Sequence, residues 1–162
     1  TDLWEGIGVL NLQRAGFEGL YEFHEAYAHD VIPEALKAGT RIQFAFLDAS
    51  KVFDIVLVNM YFIDLIMDIG GVIVLDDCQF PGVNKVVSYW RNHPNYKLHS
   101  TFDDTEKKSS WKRDLATRVA NMAPKKEKLF HPNLVNPAPT ERTVAFEKIS
   151  DETRHYSWHH DF

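Results

Sequence analysis

Two kinds of apolar pattern alternate along the chain, and each predicts a different element. In some segments apolar residues recur every three or four positions, and Gly16 and Gly39 follow two of these segments, as glycine often does just beyond a helix. Pro33 fits the first turn of the second segment, where its missing N–H is not needed. The pattern predicts helices over residues 3–15, 30–39, 52–67 and 83–91.

Short apolar runs between these helices predict strands. The runs IQFAFL and VIVL lack strict alternation, which is typical of strands covered on both faces, while a looser alternation marks a first strand nearer the start of the chain. The predicted strands are 20–25, 42–47, 72–75, 96–101 and 143–149. Because strands and helices alternate, the sequence predicts an α/β fold with a doubly wound sheet.

A single domain over residues 1–162 accounts for the whole pattern, apart from an irregular excursion at about 102–140. The excursion is rich in charge and proline, and its one regular feature is a short predicted helix over 111–122. The segment DETRHYSWHHDF that follows the last strand is expected to wrap onto the surface.

The most apolar stretch, residues 52–75, has the length of a membrane span but not its composition. Polar residues interrupt it every four or five positions, and a pair of glycines divides it. Each buried aspartate would cost roughly 2.5 kcal/mol or more at a bilayer centre. The interrupting residues are Asp54, Asn59, Asp64 and Asp68. We therefore expect a buried helix and strand, and no membrane partner.

Composition excludes several classes of function. The chain is 44% hydrophobic and 25% charged, which is typical of a globular domain rather than a disordered one. Its formal net charge of -5 gives no positive field to attract nucleic acid or anionic lipid. Cys78 is the single cysteine, and no signal-type leader is apparent, so we expect a reducing, cytoplasmic setting.

Three carboxylates follow two neighbouring predicted strands. Asp48 comes directly after one buried strand, and Asp76 and Asp77 come directly after the next. If the strands are neighbours in the sheet, these side chains converge at one edge, and a cation such as Mg²⁺ would relieve their repulsion. The alternative is that Asp77 only caps the next helix and Asp48 lies in a solvated turn.

Lys51 is the candidate general base, because it lies three residues beyond Asp48 and a lysine beside a metal ion can have a lowered pKa. The alternative is an ordinary solvated lysine at a helix start. Cys78 is a poor nucleophile candidate, since the adjacent carboxylates disfavour its thiolate. Gly6 and Gly8 fall within a predicted helix, so they do not form a phosphate loop.

Three histidines near the end of the chain have a spacing that could ligate a metal ion on a helix. They lack an acidic partner arrangement, so a solvated surface is the favoured interpretation. They are His155, His159 and His160.

A family resemblance is carried by the run IQFAFLDASKVFDIVLVNMYFIDLIMDIGGVIVLDDCQFPGVNKVVSYW. Its motifs are the Asp-x-x-Lys segment at 48–51, the glycine pair at 70–71, the aspartate pair at 76–77 and the Pro-Gly pair at 81–82. Together they resemble the second half of class I S-adenosylmethionine-dependent methyltransferases, both a bacterial branch and catechol O-methyltransferase. The upstream segment AYAHDVIPEAL is similar to the part that touches adenine, and FEKISDETRHYSW to the end of the bacterial branch.

The resemblance implies a methyltransferase that uses S-adenosylmethionine and acts on a small-molecule hydroxyl, with help from Mg²⁺. Lys51 would then be the general base, and the metal ligands would be Asp48, Asp76 and Asp77. The residues that would contact the cofactor are Ala28, His29, Asp48 and Ser50.

The sequence departs from these relatives at several positions. The bacterial branch usually has histidine where Lys51 stands and glycine where Ala49 stands, and catechol enzymes have asparagine where Asp77 stands. The family's first two strands and its glycine-rich loop would lie upstream of Thr1. The resemblance thus implies the C-terminal part of a Rossmann-like methyltransferase sheet, equivalent to strands 3 to 7, in a truncated or inactive form that binds the cofactor weakly.

Without the first two strands, the strand over 42–47 is expected to have an unpaired apolar edge. The strand over 20–25 could pair there, a second copy could complete a homodimer, or the natural protein could be longer. The alternative function is therefore a non-catalytic Rossmann-like module for assembly.

Overall fold

The computed structural model describes residues 6–103 and 141–159 as an α/β unit. The elements are α1 (Ile7–Arg14), α2 (Ala28–Lys37), β1 (Ile42–Leu47), α3 (Phe53–Ile66), β2 (Met67–Leu75), α4 (Pro81–Arg91), β3 (Tyr96–Asp103) and β4 (Glu141–Lys148). The predicted helix over 111–122 and most of the predicted excursion lie outside the described residues.

The strands form an open mixed sheet in the order β1-β2-β4-β3. β1 and β2 are parallel, whereas β4 lies between β2 and β3 and runs antiparallel to both. The α/β class is therefore confirmed. Among the described residues β1 and β2 form the one parallel pair, and the finer prediction of a doubly wound sheet stays a prediction.

Residues 20–25 do not form the predicted strand. Leu20 and Phe23 are exposed, so the apolar positions of this segment are not buried against another element. The alternation was too irregular to outweigh the absence of a pairing partner. The described chain thus contains four strands, where the resemblance implied five. The other predicted strands are confirmed, with bounds that differ by a few residues.

β2 begins five residues earlier than predicted, directly at the end of α3. Gly70 takes a positive φ of 86°, and the β1–β2 register shifts where the strand bulges around it. The Arg41 guanidinium holds this junction: it donates to the carbonyl oxygens of Leu65 at 3.0 Å and Met67 at 2.8 Å, and to the Asp68 carboxylate at 2.8 Å. The Lys148 ammonium donates to the carbonyl oxygens of Asp64 at 2.8 Å and Met67 at 3.2 Å, so two cationic side chains satisfy this helix end.

The core lies between one face of the sheet and the helices α3 and α4. α3 contacts α2 on one side and α4 on the other. Core side chains from α3, β2, α4 and β4 are buried together: Val56, Met60, Ile63, Ile73, Leu75, Val86, Val87, Trp90, Val144 and Phe146. Burial of this apolar surface is the main contribution to the stability of the fold.

The opposite face of β1 is open. Phe44 is 60% exposed and Phe46 is 56% exposed, although both pair in register with β2 residues. Among the described residues β1 pairs with β2 alone, so it is an edge strand. The prediction of an unpaired apolar edge at 42–47 is confirmed within this part of the chain.

The segment after β4 packs across the end of α4, as the sequence predicts. The backbone N–H of Ile149 donates to the Asn95 carbonyl at 2.8 Å, and the Thr153 hydroxyl donates to the Asn95 side chain at 3.1 Å. The Arg154 guanidinium donates to the Tyr89 hydroxyl. Of the helices in the described ranges, none has both the length and the hydrophobicity needed to cross a bilayer.

Candidate functional site

The carboxyl ends of β1 and β2 lie side by side at one edge of the sheet. β1 and β2 pair in parallel up to Leu47 and Leu75, and the Asp76 N–H then donates to the Leu47 carbonyl at 3.1 Å. Asp48 and Asp77 therefore follow the two strands at neighbouring positions. Ligands of open α/β sheets bind at this edge.

Lys51 lies between two of the carboxylates. Its ammonium nitrogen is 2.7 Å from Asp48 Oδ1 and 2.9 Å from Asp77 Oδ2. The cation that relieves the repulsion between these carboxylates is thus the chain's own lysine. We call Asp48, Lys51 and Asp77 the rim; with two carboxylates and one ammonium it carries a net charge of -1.

The pKa of Lys51 is raised, which is the opposite of what a general base requires. Burial lowers this pKa, but hydrogen bonds to Asp48 and Asp77 outweigh burial. The hydrogen bond from Lys51, followed by one from Gln79, lowers the pKa of Asp77. The rim is therefore an ion-paired network at neutral pH. In this arrangement Lys51 is protonated, so it does not act as the general base that the sequence predicted.

Gln79 contacts the rim through Asp77. Asp77 has a φ of 56°, in the left-handed region that few residues other than glycine, asparagine and aspartate occupy. The Gln79 amide donates to Asp77 Oδ1 at 3.0 Å, while Gln79 Oε1 is buried without a hydrogen-bond partner among the described residues. Such an unpaired acceptor would be satisfied by a ligand donor.

Asp76 is directed elsewhere. Its Oδ1 accepts a hydrogen bond of 2.8 Å from the Thr143 hydroxyl on β4, so it joins β2 to β4 and not the Lys51 network. Within residues 6–103 and 141–159, no three His, Cys, Asp or Glu side chains are arranged to hold a metal ion. The arrangement of Asp48, Asp76 and Asp77 therefore does not fit the expected Mg²⁺.

Ser50 shapes the loop between β1 and α3. Its hydroxyl accepts a hydrogen bond of 3.2 Å from the N–H of Val52, which begins the helix. The first turn of α4 packs closely against the same loop at Gly82. A Cβ on Gly82 would overlap the Lys51 carbonyl oxygen and lie 2.9 Å from the Phe53 nitrogen. A residue without a side chain is required there to hold Lys51 in place.

Ala28 and His29 begin α2. The chain passes from α2 through a short turn into β1 and then into α3, so the starts of both helices face the carboxyl edge of β1. The His29 ring stacks on Tyr27, with centroids 5.2 Å apart and planes 10° apart. The topology thus brings α2's first turn to the same edge of the sheet as Asp48 and Ser50.

Cys78 is not reactive. The side chain is fully buried, its Sγ donates to the Leu75 carbonyl, and burial raises the thiol pKa to about 12. The sequence argument reached the same conclusion from the adjacent carboxylates, but burial is the larger cause. His155 bonds Ser157 on the exposed surface, and His160 lies outside the described residues.

Sequence reasoning missed the contributions of three residues to the site: Gln79, Gly82 and Thr143. Gly82 was noted as part of a motif, and a glycine directly before the predicted helix over 83–91 was a signal that another segment approaches closely. Nothing in the local pattern singles out Thr143, because its contact with Asp76 depends on where β4 enters the sheet.

Two comparisons with known proteins bear on the chain as a whole. No protein-family model matches it, and no curated protein matches it. The function must therefore be argued from the arrangement of the rim and the elements around it.

Proposed function

We propose that this chain contributes to a class I methyltransferase that uses S-adenosylmethionine and acts on a small-molecule hydroxyl. The observation that carries the proposal is the convergence of Asp48, Lys51 and Asp77 at the carboxyl edge of two parallel strands. Hydrogen-bonding and charged groups gathered at such an edge are typical of ligand sites in α/β folds.

The strand order supports the proposal. β4, the last strand, enters between β2 and β3 and runs antiparallel to them. The parallel β1–β2 pair that the resemblance requires is thus present, with β4 beside it. β1 and β2 then correspond to its two central parallel strands, and the rim corresponds to the edge where cofactor and acceptor meet.

The charges of the rim suit a cationic ligand with hydroxyl and amino groups. When bound, S-adenosylmethionine supplies a methyl group activated by its sulfonium charge. Asp48 is 53% exposed, so its carboxylate can accept hydrogen bonds from a ligand in addition to the one from Lys51. The net charge of -1 favours a positive ligand.

The remaining residues have roles that follow from their positions. Ala28 and His29 would line the adenine, since they begin α2 at the same edge, and Ser50 would hold the intervening loop. Because Lys51 is protonated, its part would be to orient the acceptor oxygen and stabilise negative charge on it. The hydroxyl proton released as the new O–C bond forms would pass to the exposed Asp48 carboxylate. No role is assigned to Mg²⁺.

An NMR titration of the isotope-labelled chain tests this proposal even if binding is weak. We expect S-adenosylhomocysteine, added to millimolar concentration, to shift the amide signals of residues 28–29, 48–51 and 76–79. S-adenosylmethionine should bind more tightly, because it adds a positive charge. The same shifts should appear with and without Mg²⁺, since the rim's own cation is Lys51.

Matched variants separate recognition by the rim from a general effect of charge. Asp48→Asn should weaken binding roughly tenfold, since it removes a charged acceptor. Asp54→Asn makes the same chemical change on the exposed surface of α3 and should leave binding unchanged. The absence of shifts at millimolar cofactor, or equal losses in both variants, would contradict the proposal.

One observation favours a second candidate, the assembly module. An exposed edge strand with Phe44 and Phe46 on its open face can pair antiparallel with the β1 strand of a second copy. Pairing centred on Ala45 would place Phe44 of each copy opposite Phe46 of the other.

Sedimentation velocity tests this second candidate. The unmodified chain should form a dimer that Phe46→Lys abolishes, whereas Phe102→Lys, at an exposed position on the other edge strand, should leave the dimer intact. A monomer at every concentration would rule it out.

A further inference from the structure

A cavity of about 490 Å³ lies between α3, α4 and the segment that follows β4. Its volume is within the range of small-molecule sites in proteins. The residues of the rim are not among those that line it in the described part of the chain. The cavity is therefore a second candidate site, with walls of its own.

The walls are mainly aromatic and aliphatic. Apolar side chains come from both helices: Leu57, Val58, Tyr61, Phe62, Tyr89 and Trp90. The Tyr89 and Trp90 rings meet edge to face, with centroids 5.3 Å apart and planes 63° apart. Flat aromatic surfaces of this kind favour a planar aromatic ligand, which can stack on one ring and meet the edge of another.

The charged groups at the cavity are already paired. Arg154 Nε lies 2.8 and 2.9 Å from the two carboxylate oxygens of Glu152, and the Asp64 carboxylate is 3.2 Å from the Lys148 ammonium. Tyr96 also donates to Asp64, at 2.6 Å. A charged ligand would lose its hydration without finding a free counter-ion here, so a neutral ligand is favoured.

His93 supplies a hydrogen-bond donor at the cavity. It is 2% exposed, and its Nδ1 accepts a hydrogen bond of 3.3 Å from the Asn95 N–H, so the ring proton of the neutral form is on Nε2. Burial lowers the pKa of His93 to about 4, which keeps the ring neutral at physiological pH. His93 is one of the residues that line the cavity, so Nε2 can donate to a bound molecule. Trp90, on the same wall, has its Nε1 buried without a hydrogen-bond partner among the described residues, and an unsatisfied buried donor is costly.

We infer that this cavity binds a neutral, planar aromatic molecule that carries a carbonyl or ether oxygen, with His93 Nε2 donating to that oxygen. Aromatic walls, paired charges and two ring donors, His93 Nε2 and the unpaired Trp90 Nε1, together select this class of ligand. The site is distinct from the rim, and its occupation does not depend on the proposed methyl transfer.

Two naphthalenes that differ in one oxygen test this inference with the full chain. 2-Acetylnaphthalene has the required carbonyl, and 2-ethylnaphthalene is close to it in shape but has no acceptor. Ligand-observed NMR with competition gives the affinity of each. We expect one molecule of 2-acetylnaphthalene to bind per chain, roughly fivefold more tightly than the hydrocarbon, as one neutral hydrogen bond provides.

Three variants locate the site. Val58→Trp fills the cavity from an exposed position on α3, and it should weaken both ligands at least tenfold. Ile69→Trp places the same side chain at an exposed position outside the cavity and should leave both affinities unchanged. His93→Phe keeps a ring of similar size and should weaken the ketone alone.

The results that would overturn the inference are equally specific. They are no binding of 2-acetylnaphthalene up to its solubility, equal binding by the unmodified chain and Val58→Trp, or equal weakening of ketone and hydrocarbon by His93→Phe. A thermal melt of each variant confirms that it is folded. Because no S-adenosyl compound is present, the outcome is independent of the test of the rim.

Discussion

Acid should destabilise this fold through His93. The imidazole is stacked on Trp90, with centroids 5.3 Å apart, and meets Tyr89 and Tyr96 edge to face. Burial lowers its pKa from 6.5 to about 4, and the Arg154 charge adds to the effect. Between these two values the unfolded chain takes up a proton that the folded chain does not, so the free energy of unfolding falls as the pH falls.

The expected magnitude follows from the two pKa values. A difference of about 2.5 units corresponds to roughly 3 kcal/mol once both states are protonated, and to about 2 kcal/mol between neutral pH and about pH 4.5. Above the unfolded value of 6.5 the full stability is present. The charges nearest the ring, after Arg154, are Asp64, Glu152 and Lys148, and they are ion-paired with one another or with Arg154.

Urea denaturation at neutral pH and at about pH 4.5 measures this effect. Other carboxyls titrate over the same range, so the informative quantity is the difference between the unmodified chain and His93→Phe. The variant should lose about 2 kcal/mol less on acidification. It also leaves the Asn95 N–H without its acceptor, which lowers stability equally at both pH values.

His99→Phe is the matched control, because it makes the same substitution at a histidine that is exposed on β3. It should lose as much stability on acidification as the unmodified chain. If His93→Phe also lost the same amount, burial of a neutral His93 would not be a source of acid sensitivity, and the reasoning would be refuted.

Three further substitutions have defined consequences. Gly82→Ala places a Cβ against the Lys51 backbone and should cost roughly 1–3 kcal/mol in urea denaturation, with amide shifts at Lys51 and Phe53. Lys51→Met removes the largest cause of the lowered pKa of Asp77, so a carbon-detected NMR titration should show that pKa rising toward its usual value. Tyr96→Phe removes the hydrogen bond to the buried Asp64 carboxylate and should cost roughly 1–3 kcal/mol of unfolding free energy.

Controls for these substitutions lie on the surface. Gly8→Ala has open space around the added Cβ and should not destabilise the chain, so a loss equal to that of Gly82→Ala would contradict the packing argument. Lys37→Met breaks an exposed helical ion pair and should leave the pKa of Asp77 unchanged. Tyr61→Phe, at an exposed phenol, should cost far less than Tyr96→Phe.

The pattern of apolar residues was sufficient to predict the elements that form the core. α3 is a contiguous apolar segment, so its burial follows from composition alone. For β1 the same argument predicted a strand covered on both faces, which is wrong, because Phe44 and Phe46 are exposed where no further element covers the strand among the described residues. Residues 20–25 were predicted as a strand on the same kind of evidence, but a strand also needs a neighbour, and pairing is not visible in a local pattern. The insertion of β4 between β2 and β3 could not be predicted from the residues either, since it is a property of topology.

The candidate site was also predicted only in part from the sequence. Asp48 and Asp77 were expected to converge because they follow adjacent buried strands, and they do. The sequence predicted a lowered pKa for Lys51, as a general base requires, whereas its pKa in the structure is raised. A lysine near carboxylates is a base only if something else neutralises them, and its distances of 2.7 and 2.9 Å from two oxygens make it the neutralising group instead.

The place of β4 in the sheet has a consequence for synthesis on the ribosome. β3 leaves the ribosome well before β4, yet β4 is the strand that joins it to β2. In a nascent chain that ends before β4, β3 therefore has no neighbouring strand to pair with. The four-stranded sheet can form only after β4 has been synthesised. Chains arrested just before residue 141 should be digested readily by protease, whereas chains released after β4 should resist it.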